Sequence, residues 1–205
     1  MTDPEDNRDG EQRRFLDNPE WECLDFTLLG KLRSFRDRNY RTFENFERDQ
    51  ILPVNTLYYK NKVSTQDGRG MWHKQAFSDL SQAELIFLDQ DNGFEVKSMT
   101  GRTQQKYALY KEAFDFYNSG KIVIGIQFAS KIKPSVRVVE VREKLIPSKG
   151  CSNNVTVFRG RVTPNILFFS VCPLNRVRHI EEALKSFAAQ SPSFKKHEKR
   201  VELIP

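Results

Sequence analysis

The sequence predicts an α/β domain with three layers. A mostly parallel sheet would carry helices on both faces and gain an antiparallel hairpin at its C-terminal edge. Two observations lead there. Leu85 to Asp89 and Lys121 to Phe128 are almost uninterrupted apolar runs, as expected of strands covered on both faces. Between them, Thr103 to Asn118 places Tyr107, Tyr110, Phe114 and Tyr117 at helical spacing and stops at Ser119-Gly120. Strand, helix, strand in that order implies a parallel crossover. A third observation supplies the edge: Asn154 to Arg159 and Asn165 to Cys172 are strand-like and flank the turn Gly160-Arg161-Val162-Thr163-Pro164.

The remaining elements follow in chain order. Residues 1–20 are polar and turn-rich and predict a flexible segment. Residues 21–190 form the single α/β domain, and 191–205 are a basic polar tail. Asp25 is a natural N-cap for a helix with Leu28, Leu29, Leu32 and Phe35 on one face. Tyr40 to Phe46 and Thr56 to Tyr59 read as short strands, the second set off by Pro53. Gln66 to Gly70 reads as a loop, and Met71 to Leu80 as a short helix. Pro134 to Leu145 is ambiguous, because Val136, Val138, Val139 and Val141 suit helix or strand. Ile180, Ala183, Leu184 and Phe187 mark a last helix.

With 205 residues and sixteen phenylalanines the chain can fill one sizeable core. No apolar run reaches the roughly 18–20 residues that span a bilayer, and the N-terminus lacks a signal-peptide pattern. Three cysteines without ligand-like spacing suggest idle thiols in a reducing cytoplasm. His73, His179 and His197 are scattered, and neither a Walker loop nor a G-x-G-x-x-G turn occurs. The net charge of +6 is uneven: residues 1–20 carry −4 and residues 131–205 carry +9. Such asymmetry suggests a polyanionic partner, nucleic acid first, set against the plainer reading of a solvated basic surface.

Chemistry concentrates after the first apolar strand. Asp89 and Asp91 lie two apart where the strand ends, and Asn92-Gly93 supplies a turn. Two carboxylates so placed can share a proton or hold a cation. Glu95 and Lys97 share a side of an extended segment, so Asp89, Asp91 and Glu95 are candidate Mg²⁺ ligands with Lys97 beside them, as in metal-dependent nucleases. An acidic turn with purely structural charges is the competing view. Lys106 and Tyr107 at the start of the next helix, Glu112 within it, and Gln127 near the end of the second strand would line the rim for substrate. Gln127 serves equally well as a cap on a neighbouring loop. Arg159 and Arg161 alternate on the hairpin and could touch phosphates.

The run Leu85-Ile86-Phe87-Leu88-Asp89-Gln90-Asp91-Asn92-Gly93-Phe94-Glu95-Val96-Lys97-Ser98 resembles a group of bacterial and phage proteins with an Asp-Pro-Asp-Asn-Gly-Leu-Glu signature. Tyr59 ahead of Trp72, Lys106-Tyr107, Glu112 and Gln127 extend the likeness. Gln90 stands in place of the signature's proline, and Phe128 in place of a histidine. The resemblance implies that the relatives carry a further helix and strand ahead of the position of Met1. The element order is also similar to the C-terminal half of the Rossmann-like methyltransferases. There Asp89 to Asn92 would occupy the position of the loop that accepts hydrogen bonds from a target amine.

The expectation is therefore a Rossmann-like, cytoplasmic, enzyme-like protein directed at nucleic acid. The methyltransferase likeness implies S-adenosylmethionine as cofactor, although the glycine-rich turn that would hold it is missing. The alternatives are a Mg²⁺-dependent nuclease or phosphodiesterase and a non-catalytic binding or regulatory protein. No membrane contact is expected, and the sequence leaves the oligomeric state open.

Overall fold

A computed structural model describes residues 14–35, 40, 42–129, 132–146, 155–161, 166–195 and 198–204. Residues 1–13 of the polar N-terminal segment, the hairpin turn at 162–165, Cys151 and His197 lie outside the described residues.

After two 3-10 turns (Arg14–Asp17 and Pro19–Cys23) comes helix α1 (Phe26–Ser34), which opens as expected on Asp25. The Asp25 carboxylate accepts the Leu28 N–H at 2.8 Å, satisfying one of the free amides of the first turn. Helix α2 (Phe43–Arg48) replaces the first expected short strand, because the Thr42 side chain accepts the Asn45 N–H and so starts a helix. Residues 56–59 form no strand either; their rings are used in local packing, with Tyr59 edge-on to Trp72 at 5.5 Å. Helix α3 (Arg69–Asp79) follows, two residues longer at its start than expected.

Strand β1 (Leu85–Leu88), helix α4 (Tyr110–Asn118) and strand β2 (Ile122–Phe128) form the expected parallel pair with Ile86 opposite Val123. Helix α4 starts at Tyr110, seven residues later than its periodicity suggests. Residues 104–106 make a separate 3-10 turn, and an extended stretch follows. Helix α5 (Pro134–Leu145) resolves the ambiguous segment: Val138, Val141 and Leu145 are buried and Val136 and Val139 exposed, a helical rather than an alternating pattern.

The mostly parallel, Rossmann-like sheet is not what the chain builds. Strands β3 (Val155–Gly160) and β4 (Ile166–Val171) are antiparallel to each other, and β4 lies between β2 and β3, antiparallel to both. After helix α6 (Leu174–Ala189), a short ladder of β5 (Ser193–Lys195) and β6 (Glu198–Lys199) leads to β7 (Val201–Ile204), which joins the edge of β3, again antiparallel. The order is β1-β2-β4-β3-β7, and β1–β2 is its one parallel pairing. Apolar runs report that a strand is covered, not which way its neighbour runs, so the sequence pattern could not separate the two sheets. The hairpin is thus central rather than peripheral, and the basic tail contributes a strand.

Register divides the sheet faces. Ile86, Leu88, Val123, Phe169, Leu167, Val157 and Val155 share one face with Ala113 and Phe116 of α4 and Val138, Val141 and Leu145 of α5; these residues make the core. The other face carries Leu85 and Phe87 on β1, 43% and 48% exposed, so β1 is covered on one face only. Helix α6 runs against β7 with Val177, Ile180 and Leu184 half-buried at helical spacing. No helix among the described residues is long and apolar enough to cross a membrane.

Candidate functional site

The acidic turn leaves the carboxyl end of β1 and is clamped from three sides. First, Gly93 adopts φ +77°, a conformation that costs any other residue strain. A Cβ placed there would stand 2.7 Å from the Ile126 carbonyl oxygen, so the loop backbone lies directly on β2. Second, Gln127, 3% exposed, accepts the Phe94 N–H through Oε1 at 3.0 Å. Third, the loop zips to the segment before α4: Asn92 N–H donates to Lys106 O, Ala108 N–H to Gly93 O, and Glu95 N–H to Ala108 O, each at 2.9 Å. Phe94 then sinks to 1% exposure, stacked on Tyr110 at 5.1 Å and edge-on to Phe169. Gly125 leaves the space for that ring.

This construction sorts the expected residues into two groups. Asp89, Asp91 and Lys97 are exposed around the clamped backbone and Asn92 is half-buried. Partial burial, then the charge of Asp91, raises the Asp89 carboxyl above its ordinary range, even though Asp89 keeps an exposed surface. Its ionised form is therefore the disfavoured one in the fold. Ionisation of Asp89 works against stability as pH rises through the carboxylate range.

The second group is structural. The Glu95 carboxylate accepts the Tyr110 N–H at 2.7 Å and so occupies the first turn of α4. Glu112 is buried in a two-pronged ion pair with Arg69, Nε to Oε1 and Nη2 to Oε2 both at 2.6 Å, and it also receives the Leu109 N–H at 3.4 Å. Arg69 further donates to the Tyr107 carbonyl at 3.0 Å and lies over the Trp72 ring at 4.7 Å. Lys106 and Tyr107 do not open a helix: they lie in the 3-10 turn and just after it. The Leu109 and Tyr110 amides at the start of α4 already face Glu112 and Glu95, two carboxylates whose charge disfavours an anion there. Gln127 takes the capping role, not the rim. Among the described residues no three His, Cys, Asp or Glu side chains gather closely enough to hold a metal ion; Asp89, Asp91 and Glu95 do not converge.

Arg159 and Arg161 are far along the chain from this loop and share a partner. Arg161 is buried and contacts Glu202 of β7 at 2.5 Å, with Arg159 to the same oxygen at 3.5 Å. That acid on the last strand explains them better than phosphate does. The thiol of Cys172, fully buried, is pushed up to about 11 by burial and then by Glu181, so it is inert; Cys23 is exposed and free. His73 pairs with Asp115 at 3.0 Å between α3 and α4. A shallow cleft of about 240 Å³ lies at the opposite end of β1 and β2, lined by Gln82, Glu84, Lys121 and Arg176, remote from the acidic turn.

Sequence reasoning missed Arg69, the one buried cation facing Glu112. It also missed the basic run beside the loop. Residues 97–111 include Lys97, Arg102, Lys106 and Lys111 and no acid. Lys97, Arg102 and Lys111 are exposed, and the Lys106 backbone is bonded directly to Asn92. The charge asymmetry was taken between residues 1–20 and 131–205, and this run falls between the two.

No family, no curated protein and no solved structure matches this chain.

Gln127 offers a clean test of the clamp. Gln127→Leu leaves the buried Phe94 N–H without an acceptor and is expected to cost about 1–3 kcal/mol of folding stability in urea melts. Unchanged stability would mean that Gln127 does not hold the loop.

Proposed function

We propose that this chain is a nucleic-acid-directed, enzyme-like protein. Its basic run, Lys97 to Lys111, would hold the phosphate backbone, and Asp89 and Asp91 would face a hydrogen-bond donor on the bound strand, an exocyclic amine or a hydroxyl. The observation that carries this reading is the direct backbone pairing of the acidic loop with the basic run, Asn92 N–H to Lys106 O at 2.9 Å. It sets carboxylates that accept protons beside cations that attract a polyanion. A rigid frame fixes the carboxylates, as a reacting group needs. Asp89, with its raised pKa, would take the proton, and Asp91 would orient the donor.

S-adenosylmethionine does not fit this frame. Its crevice in doubly wound sheets lies between adjacent strands where the order reverses. The strand leading to the acidic loop here is an edge strand with a neighbour on one side only among the described residues. A three-carboxylate Mg²⁺ centre does not fit either, since Glu95 is engaged with the Tyr110 N–H.

The test is fluorescence anisotropy with labelled single-stranded and duplex DNA and RNA across a salt series. Binding should weaken steeply with salt, and a Lys97→Glu, Arg102→Glu double variant should flatten the log–log slope by about 1.5. Asp91→Ala should keep the salt-dependent binding but lose its preference for strands with an exocyclic amine over strands without one, read by anisotropy. Absence of binding at low salt, or the same preference in Asp91→Ala, would overturn the reading.

A further inference from the structure

The sheet face turned away from α4 and α5 is open along the strand that leads to the acidic turn. Exposure alternates there and continues past the strand's end: Leu85, Phe87 and Asp89 are exposed, Ile86 and Leu88 buried. Asp89 thus follows Phe87 on one side, about 7 Å further along at the usual rise of an extended chain. The Phe87 ring is 48% exposed and stands beside the half-buried Ile124 of β2. At the end of β2 the same face carries Phe128, also half-buried.

A lone exposed ring is ordinary on a protein surface. Here its neighbour decides what can cover it. The Asp89 side chain has no hydrogen-bond or ion-pair partner among the described residues. An apolar protein surface laid over Phe87 would strip water from that carboxyl and give it no donor. A second copy of this face brings another Asp89 rather than a donor. A nucleobase meets both demands, because its flat face stacks on the ring while an N–H on its edge reaches the carboxyl. Cations for its phosphates are close, since the acidic turn is bonded to the run that bears Lys97, Arg102 and Lys111. Within a duplex both faces of a base are already stacked, so only an unpaired base can take this place.

We propose that Phe87 is a stacking platform for an unpaired nucleobase whose edge meets Asp89, so that the acidic turn works on single-stranded nucleic acid. Phe128 offers a second ring to another base of the same strand. This inference rests on the nucleic-acid reading and narrows it.

The test gives the full chain three labelled ligands of equal length, read by fluorescence anisotropy: a single-stranded oligodeoxyadenylate, a sugar–phosphate strand without bases, and a duplex. The parent should bind the base-bearing strand about tenfold tighter than the abasic one, the scale of one stacked base. Phe87→Leu keeps the apolar bulk and removes the aromatic face. It should weaken the base-bearing strand about tenfold and leave the abasic strand, the duplex and the salt slope unchanged. Phe87→Tyr should behave as the parent. Three outcomes would overturn the platform while leaving the phosphate contacts standing: equal binding of base-bearing and abasic strands, an equal loss on all three ligands in Phe87→Leu, or a parent dimer that Phe87→Leu dissociates in sedimentation. Absence of salt-dependent binding to any ligand would overturn the nucleic-acid reading itself, and the platform with it.

Discussion

Glu112→Ala is expected to lower the free energy of unfolding by about 3–5 kcal/mol. The variant leaves the Arg69 guanidinium buried at 4% exposure with its Nε stripped of its acceptor and Nη2 left with the Tyr107 carbonyl alone, and Nη1 has no partner among the described residues to begin with. It also releases the Leu109 N–H at the start of α4. The loss should be readable in urea or thermal unfolding. The pair need not be a net source of stability: replacing both partners at once, Arg69→Met with Glu112→Leu, should recover most of the loss, because neither variant side chain strands a buried charge. If Glu112→Ala alone is near neutral, α3 and α4 are not joined as described.

Gly125→Ala should cost about 3 kcal/mol, at the upper end of overpacking penalties, and misplace the acidic loop. The added Cβ would stand 2.3 Å from the Cζ of Phe94, a ring buried to 1% and held between Tyr110 and Phe169, with no room to retreat. Moving that ring moves the Phe94 N–H away from Gln127, so the defect should reach Asp91 as well as the core. Gly30→Ala is the contrast: nothing lies within 4 Å of its Cβ position in α1, and the change should be neutral or stabilising by up to about 1 kcal/mol. Equal effects of the two substitutions by thermal melting would mean that the ring does not occupy that space.

What the sequence made legible was local. Asp25 announced α1, the Ser119-Gly120 pair announced the end of α4 (Gly120 has φ +85°), and the apolar runs announced strands at β1 and β2, although β1 is covered on one face only and not on both as its run implied. The misreadings share one cause, a distant partner overriding the local pattern. Helix α4 has aromatic periodicity from Thr103, yet it starts at Tyr110, where a carboxylate fifteen residues earlier receives its amide. Val201 to Ile204 reads as tail because it is short, and becomes a strand only against β3. The acidic turn was visible as a loop leaving the carboxyl end of β1. The structural roles of Glu95, Glu112 and Gln127 were not, since each depends on a contact between elements that the sequence does not show to be neighbours.

The threading of β4 between β2 and β3 bears on how the chain is made. On a ribosome, β2 would emerge with one flank bare, and nothing nearby in sequence can fill it until residues 166–171 have cleared the exit tunnel. Over that interval the flank of β2 awaits a partner distant in sequence, the kind of pairing that forms late and leaves unpaired strand groups open to association.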